Sequence, residues 1–234
     1  MATKNGNANK NFLVGTDQAD VLRGFGGNDT LRGLEGNDRQ YGGAGIDKIY
    51  GGTGTDRQFG DSGNDRLYGE SGNDRQDGGS GDDDLYGGTG IDLQYGGAGS
   101  DLFYGGSGGD TMYGGAGQDF FYGGAGADTF AYLRLSDSLY GDTTTDAIGD
   151  FTPGIDHLDF TRLDADANLG GNQNFTFIGT EAFSNKAGEL RQAAFTFEEE
   201  QLTVVEADVN GDGTADFAVA LGGALTLSRD DILG

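Results

Sequence analysis

The residues with the greatest capacity for chemistry are aspartates at a fixed spacing of nine. Asp20, Asp29, Asp38, Asp47, Asp56, Asp65, Asp74, Asp83, Asp92, Asp101, Asp110, Asp119 and Asp128 follow one another with none missing. A glycine lies five residues before each, from Gly15 to Gly123. Another lies two residues before each, from Gly27 to Gly126, with Gln18 the one exception. Two residues after each aspartate comes a slot filled mostly by Leu, Ile, Phe or Met, so the unit reads Gly-Gly-x-Gly-x-Asp-x-apolar-x. Carboxylates and turn carbonyls offer only oxygen ligands, with no nitrogen or sulfur beside them. That donor set suits a hard divalent cation.

The elements that must position these carboxylates follow from the unit itself. Six glycine-rich residues supply a turn that needs positive φ, and three more form a short strand whose middle side chain faces inward. Two units make a coil of eighteen, and stacked coils build two parallel sheets face to face, with strands about 4.8 Å apart. Aspartates eighteen apart then stack at that spacing. Two unit charges about 5 Å apart repel by roughly 3 kcal/mol at an effective dielectric of 20, so such a column requires protons or cations.

Composition read alone points elsewhere. The 234 residues include 39 acidic and 14 basic side chains, a formal charge of −25, 48 glycines, one proline and no cysteine. Leu, Ile, Val and Phe make up about a fifth of the chain, on the threshold at which a highly charged chain stays disordered. The unbroken period of nine overrides that description. Without cysteine there is no disulfide, thiolate nucleophile or sulfur-ligated metal. With His157 the single histidine, a two-histidine zinc helix is impossible and a histidine-based triad lacks any other candidate base. So large a negative charge opposes nucleic-acid binding. No apolar run is long enough to span a membrane, and Met1 to Lys10 lacks the apolar core of a secretory signal.

The ladder resembles the RTX, or hemolysin-type, calcium-binding nonapeptide array. The resemblance covers about residues 15 to 131 and implies an all-β fold, a right-handed parallel β-roll, with calcium between turns. Each ion would take aspartates eighteen apart plus backbone carbonyls. One edge would pair Asp20, Asp38, Asp56, Asp74, Asp92, Asp110 and Asp128 in succession; the other would pair Asp29, Asp47, Asp65, Asp83, Asp101 and Asp119. This pairing leads to an expectation of about eleven ions.

Two departures within the array stand out. Gln40, Gln58, Gln76 and Gln94 occupy apolar slots on one sheet, where an amide ladder bonding each coil to the next would satisfy them. Outward aromatic rows follow the slots: Tyr50, Tyr68, Tyr86, Tyr104 and Tyr122 on one sheet, and Tyr41, Phe59, Tyr95 and Tyr113 on the other, broken by Asp77. Arg39, Arg57 and Arg75 flank the second row. With Tyr41, Phe59 and Tyr95 they form a candidate strip for an acidic, alginate-like polysaccharide. Stabilisation of stacked strands by the aromatic residues is the alternative.

After Phe130 the glycine rule stops, although Asp137 falls on the register of nine. Residues 1–14 are expected to be a flexible lead, 15–131 the roll, and 132–234 a β-rich cap over its open end. The stretches Asp146–Asp156, Ala182–Leu190 and Asp208–Phe217 resemble the C-terminal domain of serralysin-type secreted proteases and the roll-bearing modules of bacterial alginate epimerases. Asp208, Asn210, Asp212 and Gly213 also match the start of an EF-hand loop. Val219 stands where the bidentate glutamate belongs, so a calcium site there would have to be closed by Asp216. The resemblance further implies an uncleaved C-terminal signal, read by the ABC transporter of a bacterial type I system, and an extracellular location. The end, Ser228-Arg229-Asp230-Asp231-Ile232-Leu233-Gly234, fits apart from its last residue. Roll and cap fill the chain, so the expectation is a non-enzymatic calcium-binding protein. The alternatives are an acidic-polysaccharide module or the C-terminal part of a secreted enzyme.

Overall fold

Each nine-residue unit folds as one strand and one tight turn, repeated from β3 (Val21–Gly26) to β14 (Phe120–Ala125). The computed structural model describes residues 1–141, 144–197 and 199–234. Strands run six residues rather than the expected three, because the first three residues of the following unit, in Lys48–Thr53 the two glycines and Thr53, extend them. In Lys48–Thr53, Ile49 and Gly51 are both buried. Gly51 is needed there, since a Cβ on it would lie 2.8 Å from the Gly69 carbonyl of the next coil.

Within the roll, odd-numbered strands form one parallel sheet and even-numbered strands the other. The register is eighteen residues per step, with Ile49 beside Leu67 and Lys48 beside Arg66. Between the sheets the apolar slots meet: Leu22, Leu31, Ile49 and Leu67 form a small cluster at the N-terminal end. The glutamines lie among them, fully buried. Gln58, Gln76 and Gln94 each donate to the preceding glutamine at 3.3, 2.8 and 2.7 Å. Gln40, Gln58 and Gln76 also reach across to carbonyls of Tyr50, Tyr68 and Tyr86 in the facing sheet. The amides therefore tie coil to coil and sheet to sheet, and Oε1 of Gln94, at the column's end, has no donor.

Residues 1–14 are not a flexible lead. β1 (Thr3–Asn5) pairs with β3, and β2 (Phe12–Val14) pairs with Thr30–Arg32, so they form the first coil. The reason is edge satisfaction: without them the first coil of the ladder would present two rows of unpaired backbone groups. Ala2 and Asn11 stand where ladder aspartates would, and Lys4 stands at the inward slot, its Nζ donating to the Val14 carbonyl.

At the other end both sheets run on into the cap. β15 (Thr129–Ala131) continues through β17 (His157–Asp159) to β22 (Ile232–Leu233). β14 continues through β16 (Asp146–Ile148) to β21 (Phe217–Gly222), then antiparallel to β20 (Glu200–Asp208) and β19 (Glu189–Phe197). One apolar core joins Leu85, Phe103 and Phe121 of the roll to Tyr132, Phe160 and Phe217 of the cap. The boundary expected at residue 131 is thus a change of sequence pattern without a break in packing.

Candidate metal centre

The thirteen aspartates stack in two columns. All are buried, at 2 % exposure or less. The turn glycines bring each one's N–H opposite the carboxylate of the next coil. Within the array each aspartate N–H donates to Oδ1 of the aspartate eighteen residues on, at 2.7 to 2.9 Å. Oδ1 is therefore satisfied. Oδ2 is not: from Asp29 to Asp128 it is buried and has no hydrogen-bond partner.

Unpaired buried carboxylate oxygens are costly, and twelve in succession demand a reason. Each borders a small space that glycine keeps open. A Cβ on Gly60 would lie 2.5 Å from both Asp65 Oδ2 and the Gly78 carbonyl; one on Gly105 would lie 2.5 Å from Asp110 Oδ2 and 2.7 Å from the Gly123 carbonyl. A carboxylate oxygen and a carbonyl oxygen thus converge at each step from Asp20 to Asp110. Among the described residues no three acidic or histidine side chains form a metal-binding group. Ligation would therefore rest on carboxylates and carbonyls together, as the donor chemistry of calcium prefers.

Electrostatics agree with this need. Burial, reinforced in most cases by neighbouring carboxylates, pushes Asp38, Asp56, Asp83, Asp110 and Asp128 up to about 6. Asp65, Asp74 and Asp119 rise to about 7 and Asp101 to about 8. Asp20 differs: burial raises it, but hydrogen bonds from Ala2 and Thr16 and the N-terminal ammonium outweigh that and hold it below its ordinary value. Its Oδ2 accepts from Thr16 N–H at 2.6 Å and from the Thr16 hydroxyl at 2.7 Å.

Two further aspartates join the columns, and the period of nine did not reveal them. Asp119 N–H donates to Asp146 Oδ1 at 2.9 Å, and Asp128 N–H to Asp156 Oδ1 at 3.0 Å. The steps are 27 and 28 residues, because Asp146 follows Asp128 by eighteen residues instead of nine, and Asp156 follows Asp146 by ten. Asp146 Oδ2 is another buried orphan, and burial with Asp119 beside it drives its carboxyl up to about 9. Asp156 closes its column as Asp20 opens it, Oδ2 accepting from the N–H of a threonine four residues earlier, Thr152. Asp137, although on the register, accepts instead from Leu133 and Arg134 in its own turn.

The loop at Asp208 is built differently. Buried Asp208 accepts from Gly211 and Gly213 N–H at 2.7 and 2.8 Å, and Asp216 accepts from Val209, Asn210 and the Asn210 amide. Asp212 accepts from Thr214. Asp208, Asn210, Asp212 and Asp216 do come together, but as the closed acceptors of a β20–β21 hairpin turn, so their fit to a cation is poorer than the ladder's.

The candidate glycan strip is also rearranged. Tyr41 and Phe59 stack on each other at 5.0 Å, and the guanidinium of Arg75 lies 4.7 Å over Tyr95 while pairing with Asp77 at 3.6 Å. On the facing sheet Tyr50 to Tyr122 stack ring on ring at 4.8 to 5.1 Å. Rings that cover one another stabilise the strands and leave few faces for sugar. Arg39 and Arg57 stay exposed and without an ion pair among the described residues.

The family model described as the peptidase M10 serralysin C terminal matches residues 28–233. The chain belongs to this serralysin C-terminal family. A second model, the RTX calcium-binding nonapeptide repeat, matches residues 5–40. This serralysin-type domain thus carries RTX calcium-binding repeats, and the match starts within the coil of residues 1–14. No curated protein matches it. Among solved structures it is similar to the AlgE6R3 subunit of a mannuronan C5-epimerase from Azotobacter vinelandii, at 30% identity over 66% of this chain and 78% of that one, TM-score 0.48. The AlgE6R2 subunit of the same enzyme gives 25% identity over 77% and 90%, TM-score 0.38. The extracellular lipase LipA of Serratia marcescens gives 14% over 98% of this chain and 39% of the lipase, TM-score 0.21. No helix among the described residues is long and apolar enough to cross a membrane.

Proposed function

We propose that this domain is a secreted, non-catalytic, calcium-responsive folding module whose roll orders when about eleven calcium ions fill the gaps between stacked aspartates. The observation that carries this reading is the row of buried carboxylate oxygens without donors. Bound calcium supplies the positive charge that lets those carboxylates stay ionised at neutral pH. The chain's own part is to bring the oxygens together: backbone N–H groups orient each Oδ1, glycines leave room beside each Oδ2, and the glutamine column keeps the coils in register. About eleven divalent ions would add about +22 to the formal charge of −25, leaving about −3.

The mechanism is linkage between binding and folding. The sites exist only in the coiled state, so ligand binding and ordering are one event. Where calcium is scarce, carboxylate repulsion and glycine entropy keep the roll open and fit for export; outside the cell, calcium closes it. Export would run through a type I ABC transporter reading the C-terminal segment. Circular dichroism at neutral pH tests the folding claim: β-structure is expected in calcium, with most of it lost in excess chelator. Equal β-structure in both would refute the reading. Removing residues 200–234 should abolish export, and undiminished export would remove the transporter from the account.

A further inference from the structure

We propose that two copies of this chain associate through the open edge of β19, pairing antiparallel about a two-fold axis at Phe195. The first support is an edge without cover. The twelve-stranded sheet ends in β18 (Thr176–Phe177), which pairs with Glu189 and Leu190 alone and so covers only the start of β19. Two bonds fix which groups of β19 point outward. Ile178 N–H donates to the Leu190 carbonyl, and Gln192 N–H donates to the Gly179 carbonyl, both at 2.8 Å. Even-numbered residues of β19 therefore face away from β20. Beyond Gln192, the N–H and C=O groups of Ala194 and Thr196 meet no backbone partner among the described residues.

The second support is the sequence of that stretch. Sheet edges are ordinarily blunted by brevity, charge or proline. The molecule's other edge strands, β1, β2, β18 and β22, are two or three residues long. Ala193-Ala194-Phe195-Thr196-Phe197 is longer, uncharged and free of proline. Ala194, Phe195 and Thr196 are exposed, Phe195 at 55 %. Phe195 borders a shallow apolar groove on the outer face of the sheet, beside Leu202, Val204, Ala220 and Tyr140.

The occupant follows from this pattern. One residue separates the two open ones, so a second β19 running antiparallel joins Ala194 to the partner's Thr196 and Thr196 to the partner's Ala194. That register uses every open N–H and C=O and closes both edges at once. It sets Phe195 directly opposite the partner's Phe195 in a non-hydrogen-bonded pair, where side chains approach most closely, with both rings on the groove side. It also sends the acidic hairpin tips, exposed at Glu199 and Glu200, to opposite ends, whereas parallel pairing would bring them together. The contact is small for a permanent dimer, so the association is weak and depends on concentration.

Sedimentation velocity of the full chain in saturating calcium, over a range of protein concentration, tests this, with circular dichroism reporting the fold of each variant. The wild type and Leu169→Lys, a charge control at an exposed leucine of the cap, should pass from monomer to dimer as concentration rises. Phe195→Lys sets like charges opposite one another, and Thr196→Pro removes an edge N–H that β20 does not use. Each should weaken the dimer at least about tenfold and leave the calcium-loaded fold intact. Because the chain has no cysteine, Phe195→Cys reads the register: under oxidised glutathione it should form a disulfide-linked dimer much faster than Leu169→Cys does. A dimer that survives both edge substitutions, or equal cross-linking of the two cysteine variants, overturns the proposal. A wild type that stays monomeric throughout also overturns it, and uptake of an extended uncharged peptide by that monomer would assign the edge to a foreign strand.

Discussion

The first five coils of the roll and the C-terminal cap solve the same problem by different means. Between the sheets near the N-terminus lie four fully buried aliphatic side chains and a column of amides. In the cap, Phe217 packs edge to face on Tyr132 and Phe160, and Phe175 on Phe160, at 5.1 to 6.2 Å, with Tyr132 tilted against Phe160, in a continuous aromatic core. Apolar burial can hold the second region by itself, while the first lacks the surface to do so. What the roll has instead is hydrogen-bonded stacking around oxygen sites. One sequence thus joins a self-sufficient hydrophobic anchor to a solenoid whose missing cohesion is electrostatic.

The contrast can be broken or sharpened by substitution. Phe217→Ala in the cap is expected to cost about 3–5 kcal/mol, with or without calcium, as a drop in denaturant midpoint. Asp65→Ala in the roll should instead destabilise only the calcium-loaded protein, by about 1–3 kcal/mol, and lower the calorimetric stoichiometry, since it removes an orphan oxygen and leaves Asp47 N–H without its acceptor. An equal effect in chelator would erase the distinction.

Acid should partly replace the metal. Buried ladder carboxyls at about 6 to 8 bind protons more readily in the roll than in the unfolded chain, where the ordinary value is 3.8. Metal-free stability from these groups is therefore fully present below about pH 4 and is lost as pH rises through about 6 to 8. Circular dichroism of the calcium-free chain should show β-structure growing as pH falls across that window, and a flat response would contradict it. The smallest effect concerns the amides. Gln58→Leu should cost about 1–3 kcal/mol by stripping partners from both Gln40 and Gln76, whereas Gln94→Leu, whose own Oε1 is already orphaned, should cost less, about 1 kcal/mol, because it strips a donor from Gln76 alone.

The ladder and the roll were legible because one spacing carries both the carboxylates and the turn glycines. The columns' ends were not. Asp146 and Asp156 serve the same stacking at irregular distances, since one stretch longer than the repeat separates β15 from β16 within both steps, and periodicity cannot see across it. Ala2 and Asn11 hid the first coil by replacing the residue that marks every other. The amide column was expected as coil-to-coil bonding, but its bonds across to the facing sheet depend on how closely the sheets approach. The aromatic rows were visible, yet ring stacking that covers their faces is a property of strand spacing and rotamer. At Asp208 the EF-hand spacing is real, and local N–H groups take up the carboxylates that the spacing reserves for an ion.

Metal should order the roll and leave the cap's core unchanged. Hydrogen exchange followed by mass spectrometry, at neutral pH with calcium and with excess chelator, tests it most directly. Peptides spanning residues 29–94 should be protected in calcium and exchange freely in chelator, while those containing Phe160 and Val205–Phe217 keep much of their protection. Protection of residues 29–94 that is indifferent to calcium would contradict the account.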